Sequence, residues 1–599
     1  MNKTVVVAFA CLGLIGCRGE PSGPPKPSTT PAVPGEQPAK VQTYRACAQE
    51  DYKPVVGKRG GMLVMATFGQ GPKSFNPITA GETSTTIYTD RIFQGLTELN
   101  AWTYQAQPLL AESWSHDESG LVWTVTLRKG VVWNDGHPFT ADDVVFTYMD
   151  VIYNPKVTTS IRDIITVEGK TWKVEKIDTH TVRFTLPTRF AIFDKVLASE
   201  IIPKHKYAAR IQDGTFDSAM GLDSRPEDIV GTGPFMFDRF ETGQRVVLKR
   251  NPRYWRKDAA GNSLPYLDGV TWLIVQNLDA MLLKFQQGET DAYGLRGHDY
   301  PILKPLEREG KFKIYAQGPA FGSSFLIFNQ NPGRNPENGK PYIEPYKRAW
   351  FEKTAFRQAV AYAIDKQGII DTVLNGLGYP QDGDMTFRAG FFYNDKIKRY
   401  THDPARSKEL LKKIGLVDRD GDGLLEDEAG HKVEFTLLTN AGHTERERIA
   451  EIIRKDLQRV GMKVNLLFIE FNTLVTKLDK TYDWECVLLG LTGSPEPHWG
   501  ANVWKSSGRM HEWYPRQPKP MTPWEARIDE IFDSGLKELD PHKRKVLYDE
   551  WQMIVNEQQP FVYTVAAEEL VAVRDRLGNV FVAPIGSALH NLDEIFIKS

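Results

Sequence analysis

Cysteine is scarce. The 599 residues hold four, at 11, 17, 47 and 486, and their spacing gives neither a disulfide framework nor a zinc pattern. An excess of charge of either sign is missing too, since 74 Lys and Arg face 76 Asp and Glu. With no long basic run, nonspecific binding to nucleic-acid phosphates is disfavoured. No apolar run reaches the ~20 residues that a membrane-spanning helix needs. Catalytic frames are absent as well: there is no nucleophile elbow, no Cys/His pair with an orienting group and no HExxH frame. The turn Gly231-Thr232-Gly233-Pro234-Phe235 lacks the lysine of a phosphate loop. No second carboxylate stands at a defined distance from Glu112 or Glu496, so acid/base hydrolysis has no support beyond composition. A secreted hydrolase remains only as the alternative class.

What is present is an ordinary soluble composition, 25% charged and 41% hydrophobic, with 14 tryptophans. The length exceeds a single core and implies about two to four structural units. Met1 to Cys17 reads as an export signal. Lys3 supplies the positive end, Thr4 to Ile15 a short apolar stretch, and Leu14-Ile15-Gly16-Cys17 resembles a bacterial lipobox, which implies lipidation of Cys17 and a membrane anchor. Residues 18–57 are rich in Pro, Ser, Thr and Gly. Such a segment buries too little apolar surface to fold and reads as an extended tether. The folded body is expected from Gly60-Gly61. Cys486 reads as a small buried hydrophobe, and a Cys47–Cys486 bridge stays open.

The stretch Trp484 to Tyr514 organises the rest. Its apolar run Cys486 to Leu491 has the length and content of a buried strand. The run breaks at Thr492-Gly493-Ser494-Pro495-Glu496-Pro497, a loop by its Gly and Pro content. His498, Trp499, Trp504, His511, Trp513 and Tyr514 follow. Aromatics beside polar groups in a loop leaving a buried strand are how ligand clefts are commonly built. The competing reading is a surface loop whose tryptophans cover a neighbouring helix.

Upstream, Trp123, Val125 and Leu127 alternate with polar residues as in a half-buried strand. Thr140 and Asp143 form a capping box, and Val144, Val145, Tyr148, Met149 and Ile152 share one helical face. Thr86 to Gly95 has a helical pattern. This order, with LAESW (110–114) and LRKGVVWNDGHPFTADDV (127–144), resembles the family 5 extracellular solute-binding proteins, which are peptide, dipeptide, nickel and oligosaccharide receptors of ABC importers. IIPKH (201–205), GTGPF (231–235), RNPRYW (250–255), LPYLD (264–268), GETD (288–291) and FRQAVAYAID (356–365) follow in register. The resemblance spans about residues 60–599.

It implies an α/β, two-lobed periplasmic-binding-protein fold of the large cluster, with an extra subdomain in the first lobe and a hinge between lobes. The expected divisions are 58–325 for the first lobe, with the extra subdomain at about 100–230, 326–561 for the second lobe, and 562–599 as a return to the first. Crossovers are expected near Ser323–Asn329 and Phe561–Thr564. In the second half, Thr354 to Ile364 is amphipathic, Thr444 and Glu447 form a capping box, and Asp403-Pro404 and Asp540-Pro541 start helices. Phe561–Val573 and Asn579–Ile597 read as strands.

The resemblance also implies a ligand held between lobes, an ABC permease as partner, no enzymatic activity and no cofactor; a monomer is expected. The candidate ligand residues are Phe75 and Asn76 on one wall, with Phe321, Ser494, Glu496, His498, Trp499, Asn502, Trp504 and Trp513 on the other. In peptide-binding members an aspartate in the loop after this strand pairs with the peptide amine; Ser494 stands there, and Glu496 is the substitute anchor. Aromatic faces with neutral hydrogen bonders suit an oligosaccharide instead. Asp418, Asp420 and Asp422 resemble the start of a calcium loop, but Ala429 occupies the position of its bidentate glutamate. The alternative is a plain Asp/Gly turn. His498 and His511 lack a metal-binding frame; the nickel receptors of the resembled family leave metal ligation by them open, and ligand contact or loop packing is the reading preferred.

Overall fold

The computed structural model describes residues 43–586 and 588–598. The export signal, Cys17 and the tether through residue 42 lie outside the described residues. Among the described residues no helix is long and apolar enough to cross a membrane.

The first lobe is built on two sheets. In one, the strands Met62–Phe68 and Gly269–Val275 run parallel, and Arg245–Arg250 and Phe235–Glu241 continue antiparallel. In the other, Val565–Arg574 lies between Phe312–Pro319 and Ala292–Leu295. Phe75, Tyr88, Trp272 and Val573 belong to the core these sheets share. Inserted into this lobe is a subdomain with its own core. Its antiparallel sheet runs Ala111–His116, Val122–Leu127, Thr181–Thr185, Lys173–Asp178, and buried Val125, Val182 and Phe184 face its helix. That helix starts where Thr140 and Asp143 exchange backbone bonds: Asp142 N–H donates to Thr140 Oγ1 at 3.3 Å and Thr140 N–H to Asp143 Oδ2 at 2.9 Å. This satisfies donors that the first helical turn leaves free.

The second lobe is a five-stranded sheet ordered Lys463–Ile469, Glu434–Asn440, Cys486–Leu491, Ser323–Phe328, Phe561–Tyr563. The first three strands are parallel. Both faces are covered, which is why Cys486 to Leu491 is a continuous apolar run and does not alternate. Phe325 and Ile327 face the helices Pro523–Lys537 and Pro541–Gln558, while Leu326 and Phe328 face Thr354–Ala363 and Thr444–Arg459.

The chain crosses between lobes twice, at residues 320–322 and at Thr564 alone, between Phe561–Tyr563 and Val565–Arg574. The crossings are pinned rather than loose: a Cβ on Gly322 would lie 2.3 Å from the Leu491 carbonyl oxygen. The first crossing thus falls just before the expected Ser323–Asn329, which is a strand of the second lobe, and the second falls at the last residue of the expected Phe561–Thr564.

Several local expectations change. Residues 43–57, given to the tether by composition, pack on the first lobe. Tyr44–Arg45 pairs with the Phe312–Pro319 strand. Cys47 N–H donates to Val582 O at 2.8 Å, and the Asn579 side chain bonds both backbone groups of Val55. Tyr44 and Tyr52 supply the apolar area that averaged composition hides; the Tyr52 ring packs on Trp102 and Phe581. The early helix is Thr83–Ile92, three residues upstream of the expected span at each end. His443, not Thr444, caps the Thr444–Arg459 helix, its Nδ1 accepting Arg446 N–H at 3.3 Å. Residues 579–586 and 588–595 are irregular rather than strand; among the described residues of the expected Asn579–Ile597 strand, only Phe596–Ile597 pairs. Cys486 is buried in the second lobe, while Cys47 sits on the first, so the open bridge is not formed.

Candidate functional site: the cleft between the lobes

In open α/β sheets, ligands bind beyond the carboxyl ends of the parallel strands. Here all three such ends point at the first lobe. After Asn440, Gly442 O accepts Leu278 N–H at 3.1 Å and His443 packs edge-on against Phe68. After Ile469, Asn472 Nδ2 donates to Gly71 O at 3.3 Å, and Ser84 Oγ donates to Asn472 Oδ1 at 3.2 Å. After Leu491, Ser494 Oγ donates to the Tyr104 hydroxyl at 2.8 Å. Further along, Arg509 N–H donates to Asp163 Oδ2 at 2.9 Å, and Ala191 N–H to Leu536 O at 2.8 Å. The lobes are therefore closed on one another.

The expected ligand residues divide. Phe321, Ser494 and Trp499 stand at the lobe junction: Phe321 beneath the Arg388 guanidinium at 4.2 Å, Ser494 on Tyr104, Trp499 half-buried against the subdomain core. The others are structural. Phe75 is fully buried, its ring 4.5 Å from Phe237. Buried Asn76 donates to Phe216 O at 3.1 Å and accepts Ile78 N–H at 3.0 Å. Asn502 Nδ2 donates to Met510 Sδ at 3.2 Å. Trp504 and Trp513 are 1% exposed and pack with Trp551 and Phe561, with centroids 5.3–6.0 Å apart. They form core, not a stacking platform.

Glu496 is also committed. Its carboxylate takes Arg544 Nη2 at 2.5 Å, Arg544 Nη1 at 3.2 Å and Lys195 Nζ at 3.4 Å. Burial alone would raise its pKa; Arg544 and Lys195 win and hold it below the usual carboxylate value. Lys195 belongs to the first lobe and Arg544 to the second, so Glu496 ties the lobes and offers no lone pair to an amine. His498 is buried, and burial pushes its imidazole down to about 3. It is neutral: Nε2–H donates to Ile164 O at 3.2 Å and Nδ1 faces the Tyr548 hydroxyl at 3.4 Å. Both nitrogens of His511 are engaged, with Val503 O at 2.8 Å and Glu525 at 3.3 Å. The ring nitrogens of both histidines are thus occupied by partners within the protein.

The Asp418–Asp422 turn carries its own cation. Lys432 Nζ donates to Asp420 Oδ2 at 2.6 Å, Asp422 Oδ2 at 2.8 Å and Glu426 Oε1 at 3.0 Å. Calcium at about 1 mM should leave the thermal midpoint of the wild type unchanged. Lys432→Met frees those oxygens and should be stabilised by the ion; scanning calorimetry with and without calcium reads both.

Sequence reasoning missed two charged groups at the cleft edge, both without an ion pair among the described residues. Arg446 Nη1 donates to Asn440 Oδ1 at 2.9 Å, and its Nη2 lies 3.0 Å from where a Gly490 Cβ would stand. Burial pushes its guanidinium down to about 10. Asn440 Nδ2 is buried and unbonded. Across the same strand end, Asp384 accepts from Ser323 Oγ at 3.5 Å, and burial pushes its carboxyl up to about 7. An anchor on the loop itself is excluded at one position, since a Cβ on Gly493 would meet Phe321 O at 1.9 Å. Nothing in the local sequence marks Arg446 or Asp384; only the strand pairing brings them to Gly490 and Leu491.

Two lobes, two short crossings and a closed cleft at the carboxyl edge of a parallel sheet define a solute-binding protein. The profile described as bacterial extracellular solute-binding proteins, family 5 Middle, matches residues 105–512, and the chain belongs to that family. A probable ABC transporter-binding protein of Deinococcus radiodurans is 29% identical over 541 residues, 86% of this chain and 88% of that protein. The oligopeptide-binding protein AppA of Bacillus subtilis is 26% identical over 548 residues, covering 87% and 89%. Two solved structures share the fold. AppA with a nonapeptide has a TM-score of 0.77 at 24% identity, covering 91% of this chain and all of that one. MelB of Agrobacterium fabrum with stachyose has a TM-score of 0.79 at 21% identity, covering 92% and 86%.

Proposed function

We propose that the protein captures an oligopeptide-type solute between its lobes and hands it, unreacted, to an ABC permease, while lipidated Cys17 holds it to a membrane. The observation that carries the ligand class is the pair of unpaired opposite charges, Arg446 and Asp384, at one strand end. A zwitterionic solute neutralises both, whereas a neutral sugar leaves two partly buried charges uncompensated. The oligosaccharide alternative loses its main support with Trp504 and Trp513 in the core. Closure does work only if the ligand binds the closed form better than the open one. Native mass spectrometry of the full chain with a synthetic nonapeptide library and with stachyose tests the reading. Retained, uncleaved peptide is expected; retention of stachyose alone, or steady peptide cleavage, overturns it.

A further inference from the structure

Two sequence motifs of the first lobe meet in space, away from the cleft. Asp135 and His137 come from the segment WNDGHPF (133–139), and His205 ends IIPKH (201–205). The first segment turns tightly. Gly136 N–H donates to Trp133 O and Trp133 N–H to His137 O, both at 2.8 Å. Gly136 sits at φ +97°, where a side chain would be strained. His205 lies in the first turn of the helix Lys204–Gln212. One carboxylate, Asp143, holds the two segments in place. Its Oδ2 accepts Thr140 N–H just after the turn, and its Oδ1 accepts Lys204 N–H at 2.9 Å where the helix begins.

Three ligand-type side chains converge at this junction. His205 Nε2 stands 2.7 Å from Asp135 Oδ2, and His137 Nδ1 stands 3.3 Å from Asp135 Oδ1. One donor atom from each residue lies within 4.8 Å of the others. The imidazole rings stack with centroids 4.0 Å apart and planes 20° apart. His137 N–H also donates to Asp135 Oδ1 at 3.1 Å, the kind of outer contact that orients a ligating carboxylate. The His137 side chain is 60% exposed, and those of Asp135 and His205 are 28% exposed, so an ion can enter and keep a water. Among the described residues one other group has this character, Asp418, Asp420 and Glu426, and there Lys432 supplies the positive charge. Asp135 pairs with no lysine or arginine among the described residues. The cations nearby are spent elsewhere: Arg253 Nη1 donates to Asn134 O at 2.8 Å, and Lys206 Nζ to Asp228 at 3.2 Å.

We propose that Asp135, His137 and His205 bind a divalent transition cation, zinc above all, and that the ion staples the inserted subdomain to the body of the first lobe. Two imidazoles and a carboxylate are a zinc donor set. At zinc bond lengths of about 2.0–2.2 Å, tetrahedral ligand atoms stand about 3.3 Å apart, close to the separations here. Calcium wants about six to eight oxygens, which this cluster does not offer. Each ring nitrogen bonded to Asp135 becomes a ligand when its proton moves to the other nitrogen of the ring. The staple follows from where the ligands are rooted. Trp133 and Phe139, on either side of the turn, lie in the subdomain core, whereas Tyr207, two residues after His205, lies in the core of the first lobe.

The experiment uses the full chain without a polyhistidine tag, stripped with EDTA and titrated with zinc chloride by calorimetry. One zinc per chain should bind, and the thermal midpoint should rise with zinc concentration, because the ion binds only the folded arrangement. Cobalt in place of zinc should give the visible absorption of a tetrahedral site. His137→Ala and His205→Gln should each weaken zinc by at least about 10-fold. His137→Ala should keep the wild-type midpoint without zinc, since that side chain is mostly exposed, and this variant decides the case if His205→Gln folds poorly. Calcium at about 1 mM should not compete. Wild type that takes up no zinc overturns the proposal. So does zinc held equally well by His137→Ala, which would place the ion on other surface histidines. Displacement of cleft-bound peptide by zinc would place it in the cleft and overturn the proposal too.

Discussion

Glu496→Gln should lower the free energy of unfolding by about 3–5 kcal/mol, the cost of breaking one member of a buried ion pair. Glu496 and Arg544 side chains are 1% and 7% exposed. The amide cannot carry the charge, so the guanidinium stays buried with one side unpaired, and Lys195 loses its contact across the lobes. The pair itself is not the source of the large number; the orphaned Arg544 is. A second substitution makes the point measurable: Arg544→Met in the Glu496→Gln background should recover most of the loss in urea titrations. The effect carries a pH signature. Glu496 has a folded-state pKa below its unfolded one, so its contribution is present above about pH 4.5 and fades as pH falls through the lower folded value. Wild type and variant should therefore converge in acid. A second readout separates lobe closure from global stability, since scattering at neutral pH should find the variant more extended when ligand-free.

Trp504→Ala should cost about 3–5 kcal/mol, as for other large-to-small core changes. Trp504 packs among Trp513, Trp551 and Phe561 in the second lobe's interior, and truncation leaves a cavity that the two flanking helices cannot close. Denaturation midpoints measure it. A sugar-stacking platform predicts the opposite pattern, with stability intact and affinity lost. A variant that folds as well as wild type would return this tryptophan to the cleft wall.

Much of the architecture could be read from local signals. The Thr140–Asp143 cap, the apolar run at 486–491 and the ordered motifs each depend on residues close in sequence. The cleft depends on residues that are not. Glu496 meets Arg544 48 positions later and Lys195 301 positions earlier, so in sequence it looks like a free carboxylate in a loop. The tryptophans of the same loop read as ligand contacts because their cover, the Pro541–Gln558 helix, arrives from downstream. Asp384 gave no signal, since Asp382-Gly383-Asp384 is what an ordinary turn contains. Residues 43–57 depart from their composition for the reverse reason: two tyrosines outweigh a proline-rich neighbourhood once a surface exists to receive them.

The order of strands in the first lobe bears on how the chain matures. Val565–Arg574 is a middle strand, bonded on one side to Phe312–Pro319 and on the other to Ala292–Leu295, and it is made only after the whole second lobe. Until it emerges, those two strands have no shared neighbour, and the half of the molecule synthesised first cannot be finished. Chains cut short before residue 565 lack that shared middle strand, and such truncations should yield products that are degraded rather than partly working receptors.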